Sequence, residues 1–407
     1  MNRRWAVWVL LAGLGVSVLG DQVYVVALNV WVLARTHSAV AVAELWMVSP
    51  LAGALVGSWM GSLVDRWDRR FSLVVAALAS AGVIGGIPLL HPMVLIYAAI
   101  FLVAAANGLF TAALASYVKL LVPRALWARV SAVRGMLVYG ALVLGPALAG
   151  TFLIHGNPGA AIWLDSVTFL ISAVSLTLLP RLHPEPSENE GAGPRTNLWV
   201  DDLRQVRTFL ATHLAVLGVL AGFSTIVIFG AAADAQEVVF ARTALELRQS
   251  GYGYLMSMAG IGYVAGAVLS YAMGARLPVR VALGGGVVLS AASYLWCARS
   301  VTFAEAAAAL ISLGVFQSVA NMGLSVYLQE SLPTVAMGRI MGTTQAAQNG
   351  LMVLAILGGG FLSHAVGVRL MMTITSLLGI GGGLWLTALC LGPSSATRWA
   401  AESGEFS

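Results

Sequence analysis

The chain has 407 residues, 59% of them hydrophobic and only 10% charged, and its mean hydropathy is +0.87. That composition excludes a water-soluble domain, and apolar runs of about 20 residues are long enough to cross a hydrocarbon core of about 30 Å. Only helices or closed barrels satisfy every backbone group in lipid; the runs are continuous and not alternating, so they are read as helices.

Twelve spans are predicted, at about 5–34, 39–63, 71–90, 93–121, 127–154, 159–180, 209–238, 249–274, 278–298, 302–331, 337–364 and 368–393. The first follows Arg3 and Arg4 but runs on past Asp21 without a small-x-small cleavage pattern, so it reads as a retained helix. Asp21 lies midway along it, with Ser17 and Tyr24 on nearly the same face and Gln22 and Asn29 on an adjoining one. A carboxylate at a helix centre costs about 2.5–3.5 kcal/mol by insertion scales, which marks it as functional. A desolvated carboxylate there can couple proton binding to transport. Its other reading is a buried partner for Arg134, the Arg that falls inside a span.

Between the second and third spans lies a dense charge cluster, Gly61-Ser-Leu-Val-Asp65-Arg66-Trp-Asp68-Arg69-Arg70-Phe-Ser-Leu73. Asp65 suits a helix N-terminus, where free N–H groups and the macrodipole favour an anion. Arg66, Arg69 and Arg70 can bridge to carboxylates or to the last carbonyls of a helix, a latch made in one conformation and broken in another. Otherwise they are topology anchors.

The fifth span carries Gly140, Gly145, Pro146 and Gly150. Small residues let membrane helices approach closely, and Pro146 permits a bend; a tight seam against the other half is expected. Asp165 in the sixth span reads as structural, capping or pairing at an interface. The polar interval 181–208 reads as a flexible linker, dividing the chain into bundles 1–180 and 209–407.

In the seventh span Asp234 and Glu237, three residues apart, are expected on one face, as a second protonation or cation-attracting site or, if the helix ends early, as solvated groups. Neutral polar residues gather at mid-depth: Asn107 in span four, Gln317 and Asn321 in span ten, and Gln345, Gln348 and Asn349 in span eleven. Such faces are wet or buried, and some of these amides serve only to hold helices together.

A spacing of 210 residues relates Pro123 to Pro333, Arg129 to Arg339, Gly150 to Gly360, Arg66 to Arg276 and Arg70 to Arg280, which points to a duplicated six-helix unit. With both termini in the cytoplasm, sixteen of the 22 Arg and Lys residues fall inside, five outside and Arg134 within a span. The net charge of +5 thus reports topology and gives no argument for nucleic acid. Cys297 and Cys390 stand alone in apolar spans, and no HExxH, paired-Cys, Ser–His–Asp or phosphate-loop pattern occurs. Neither a metal, a cofactor nor an enzyme is indicated.

The segment 61–73 resembles the loop motif of the major facilitator superfamily, matching at Gly61, Leu63, Asp65, Arg66, Arg69, Arg70 and Leu73, with Asp68 where the family prefers Gly. Tyr139 to Gly150 resembles the Gly-Pro antiporter motif of exporters in that superfamily. Gly20-Asp21-Gln22 and Leu164-Asp165-Ser-Val-Thr-Phe169 are similar to its macrolide-efflux and siderophore-exporter branch of drug:proton antiporters.

The resemblance implies an all-α membrane fold of two pseudo-symmetric six-helix bundles in the cell membrane, commonly monomeric. Spans 1, 4, 7 and 10 would line a cavity that includes Asp21, Asn107, Asp234 and Gln317, and the loop motif would hold the cytoplasmic side shut. The expected activity is proton-coupled export of hydrophobic or amphipathic small molecules. An uncoupled facilitator or importer of a lipid or metabolite is the alternative.

Overall fold

The computed structural model describes residues 3–123, 126–154, 157–181, 213–273, 278–331 and 334–391, with 208 and 211. Side chains at 3, 4, 57–66, 127–129, 131, 132, 330, 334–339 and 391 are not among those described. Most of the expected linker 181–208 lies outside the described residues, as do Arg276 and the tail beyond Leu391. The described chain is all-helical, with twelve helices long and apolar enough to cross a membrane.

These are α1 (Arg3–Thr36), α2 (Ala39–Arg66), α3 (Arg69–Gly86), α4 (Met93–Leu121), α5 (Trp127–Ile154), α6 (Pro158–Thr177), α7 (Leu214–Asp234), α8 (Gln249–Met273), α9 (Val279–Arg299), α10 (Phe303–Ser331), α11 (Thr334–Val366) and α12 (Val368–Leu391). Their limits follow local chemistry. Asp68 caps α3 by accepting from the Phe71 amide at 2.9 Å, and Asn157 caps α6 by accepting from Ala160 at 3.1 Å with Pro158 in the first turn. Gly367 alone separates α11 from α12, at φ +88°, a conformation glycine adopts without a side-chain clash.

The helix limits repeat at the 210-residue spacing. Starts pair as Ala39 with Gln249, Arg69 with Val279, Met93 with Phe303 and Pro158 with Val368, and ends pair as Leu121 with Ser331. The seventh span departs most from this spacing. Expected over 209–238, α7 stops at Asp234, a turn follows at 235–236, then a short helical turn Glu237–Val239 and a widened turn Phe240–Ala244.

Contacts divide the chain into two compact units, Met1–Ser187 with Ala241–Gly260, and Glu188–Phe240 with Ile261–Ser407. In the first, α1 packs on α5 and α6, α3 on α4 and α6, and α2 on α4. In the second, α9 packs on α10 and α12, and α7 on α11 and α12. The second core is built from Val216, Phe223, Leu283, Val287, Ala320 and Leu386, each at most 5% exposed. Large side chains such as Leu102, Val174 and Leu354 stay on outward faces, as expected where the solvent is lipid.

The end of the third helix in each repeat is held by an arginine, but from different helices. Arg35 of α1 donates to Leu90 O at 3.1 Å. At the equivalent carbonyl, Ser300 O, the donor is Arg369 of α12 at 2.6 Å, which also reaches Ala298 O at 3.1 Å. Both guanidinium groups lie over an aromatic ring, Trp31 at 4.4 Å and Phe240 at 5.4 Å.

Candidate functional site

The densest polar cluster of the first unit lies where α1 crosses α6. Gly20 makes the crossing possible: a Cβ there would collide with the Thr168 hydroxyl and the Asp165 carboxylate. Asp165 is fully buried, and its Oδ1 accepts from Thr168 Oγ1 at 3.0 Å while its Oδ2 has no partner. Tyr24, one turn beyond Gly20 on the same face, is 7% exposed, and its hydroxyl is also without a partner. Asp21 is half-buried beside them, close enough for its charge to act on both Asp165 and Tyr24. Two carboxyls and a phenol thus meet in one seam. Such a group can hold and release protons.

Asp165, expected to cap or pair at an interface, does pair with Thr168 at this crossing, with its second oxygen left unpartnered. Its signal was present: the Gly20-Asp21 and Leu164–Phe169 segments, singled out separately, are in contact through Gly20, Asp165 and Thr168.

The alternative pairing of Asp21 with Arg134 is not made. A Cβ on Gly15 of α1 would lie 2.9 Å from Leu137 of α5. Arg134, nearly one turn further along α5, is exposed and lines a cavity of about 200 Å³ with Leu10, Leu11, Leu14 and Lys119. Leu14 is seven residues from Asp21, about 10 Å along the helix axis. Gln22 packs its Cβ against Gly145. Asn29 is 1% exposed, donates to Val25 O at 2.8 Å and accepts from Trp46 Nε1 of α2 at 2.7 Å. Asn107 is exposed and paired with Thr111 at 3.5 Å.

Along α5, Pro146 and Gly150 form a close seam with the first half of α8, while Gly145 faces α1. A Cβ on Gly253 would lie 2.5 Å from Pro146 O and 2.8 Å from Gly150 N, and one on Gly150 would lie 3.0 Å from Ser250 O. Gly140 takes no part, with open space around its Cβ position. Near the other end of α1, a cavity of about 500 Å³ is walled by Val30, Leu33 and Ala34, with His37, Arg242 and Thr243 as its polar edge.

Of the loop motif, the side chains of Gly61, Asp65 and Arg66 lie outside the described residues. Arg70 donates to Thr177 O at the end of α6, and Arg69 Nε is buried without a partner. Asp68, the departure from the family pattern, has its Oδ1 engaged as the cap of α3.

In the second unit Asp234 and Glu237 do not share a continuous helical face, because α7 ends between them. Asp234 is half-buried; Glu237 is 3% exposed, with Oε2 unpartnered, so the solvated alternative fails for Glu237. Gln348 donates to Ser224 Oγ of α7 at 2.8 Å, a helix–helix contact. Gln345 bonds to Asn349 within α11 at 3.1 Å. Gln317 is half-buried and Asn321 exposed.

Twelve apolar helices with acidic groups buried between them define a polytopic membrane protein. The family model described as the Major Facilitator Superfamily matches residues 10–239, more than half of the chain, and the chain belongs to that family of membrane transporters. An uncharacterized MFS-type transporter YfiS of Bacillus subtilis (strain 168) is 23% identical over 394 residues, covering 92% of this chain and 91% of that one. The fold is similar to a bacterial homolog of the human lysosomal transporter Spinster, with TM-score 0.74, 13% identity and 98% of each chain covered. It is also similar to a D-xylose-proton symporter, with TM-score 0.71, 15% identity, and 95% of this chain and 97% of that one covered.

Proposed function

We propose that the protein is a secondary active exporter of hydrophobic or amphipathic small molecules, working by proton antiport and alternating access, in the macrolide-efflux branch of the family. The observation that carries this reading is Asp21, half-buried midway along α1 beside buried Asp165 and Tyr24, with no arginine or lysine in the seam. A proton is the simplest species such a group exchanges. Proton coupling also has a precedent in the symporter of similar fold. The lipophilic substrate class is supported by cavities whose walls are mostly apolar, with one or two cations at their edges. A sugar phosphate or inorganic anion would call for several converging Arg or Lys.

In this reading the transporter works by alternating access in the cell membrane, both termini are cytoplasmic, and it acts as a monomer. Arg70 at the end of α6 belongs to a latch that closes the cytoplasmic side. The α5–α8 seam limits leak. Asp234 and Glu237 form a secondary acidic site.

The test uses proteoliposomes with an imposed pH gradient, lipophilic dyes and drugs as substrates, and Asp21→Asn beside the wild type. Gradient-driven movement that vanishes in Asp21→Asn supports the reading. Movement indifferent to the gradient in the wild type overturns it in favour of a facilitator.

A further inference from the structure

Three features of the α1–α6 crossing are left unexplained by packing alone. Asp165 is 0% exposed, yet one of its carboxylate oxygens has no partner. The Tyr24 hydroxyl, in the same seam, has none either. Gly20 brings the α1 backbone so near Asp165 and Thr168 that no side chain fits between them.

Among the described residues the ionisable groups at this point are acids. From α1 come the Asp21 carboxyl and the Tyr24 phenol. The charged residues of α3 are Arg69 and Arg70 at its start, and α6 carries only Asp165. Beyond Arg134, α5 offers only Tyr139 as a titratable group. On α1 the next cation is Arg35, fourteen residues from Asp21 and about 20 Å along the axis, where it is engaged with Leu90 O. Two carboxylates in a seam with no cation repel each other when both are ionised, and sharing one proton relieves that repulsion.

We propose that Asp165 and Asp21 form a proton-sharing pair, in which buried Asp165 holds the proton, half-buried Asp21 exchanges it with water, and the Tyr24 hydroxyl caps the pair. The inference rests on the proton-coupled reading above and names the site of coupling as a pair instead of Asp21 alone. The proton balance is simple. One proton enters at an Asp21 carboxylate oxygen and passes to the free Oδ2 of Asp165, leaving a single negative charge on the two groups. On release it leaves by the same path, and the pair then carries two. Like charges facing each other across Gly20, where the helices have no slack, push α1 from α6. Protonation is thereby converted into a change at a helix seam, and Asp165 is a positioning residue as well as a proton holder.

The experiment is infrared difference spectroscopy of the full-length protein in nanodiscs over a pH series, for wild type, Asp165→Asn, Asp21→Asn and Tyr24→Phe, together with gradient-driven uptake in proteoliposomes. The wild type should show a protonated-carboxyl stretch that fades as pH rises. Asp165→Asn should lose that band near neutral pH and lose gradient-driven uptake. Asp21→Asn should keep the band but slow its exchange with heavy water. Tyr24→Phe, the mildest change and the safeguard if Asp165→Asn does not fold, should shift the band's frequency. A band unchanged in both Asp165→Asn and Tyr24→Phe overturns the proposal, as does full gradient-driven uptake in Asp165→Asn. A pair-dependent band in a protein whose transport ignores the gradient would instead sink proton coupling and leave the pair standing.

Discussion

The α1–α6 and α7–α12 crossings occupy corresponding places in the two repeats and solve their polar chemistry in opposite ways. At the 210-residue spacing Gly20 pairs with Gly230, Asp21 with Ala231, Tyr24 with Asp234 and Asp165 with Thr375. In the second unit the hydroxyls return to their own backbone: Thr375 to Met371 O and Met372 O at 3.2 and 3.1 Å, Ser376 to Met372 O at 2.6 Å, and Thr225 to Gly222 O at 2.7 Å. In the first, a carboxylate oxygen and a phenol stay unpartnered. Unmade bonds of buried groups cost about 1–3 kcal/mol each. The hydroxyls of one crossing are thus satisfied locally, while two polar atoms of its counterpart are not.

Exchanging the two solutions gives the largest expected effect. Thr375→Asp places a carboxylate at a position only 7% exposed with no cation supplied, and should cost about 3 kcal/mol on the insertion scale, read as a fall in melting temperature in detergent. Next come the crossing glycines. Gly20→Ala drives a methyl into Thr168 and Asp165 and should destabilise by about 1–3 kcal/mol. Gly230→Ala meets only Tyr294 at 3.9 Å and should be within about 0.5 kcal/mol of wild type. If both alanines behaved alike, the contrast between the crossings would fail. The smallest effect separates the two arginine clamps. Arg369→Ala removes two hydrogen bonds from a half-buried group and should cost about 1–3 kcal/mol, while Arg35→Ala removes one exposed bond and should cost about 0.5–1 kcal/mol or less.

Much of this architecture is legible in the chain because membrane helices announce themselves by length and apolarity. The starts at Ala39, Arg69, Met93 and Pro158 follow from charge, proline and caps, and recur 210 residues later. The end of α7 was hidden because Ala231–Ala235 extends the apolar run past the break, and residues three apart share a face only while a helix persists. The partners of Asn29 and Gln348, Trp46 and Ser224, were hidden because they come from other helices. The partner of Asp165 across the interface was hidden for the same reason. A lone carboxylate shows nothing of its neighbour, and only the crossing at Gly20 brings it to α1.

The most direct measurement compares proton-driven substrate movement in proteoliposomes for wild type, Asp21→Asn and Asp234→Asn, with an ionophore clamping the membrane potential. If the acidic crossing of the first unit couples transport, Asp21→Asn loses gradient-driven movement while Asp234→Asn retains most of it. Loss in Asp234→Asn with full activity in Asp21→Asn would contradict the account and move coupling to the end of α7.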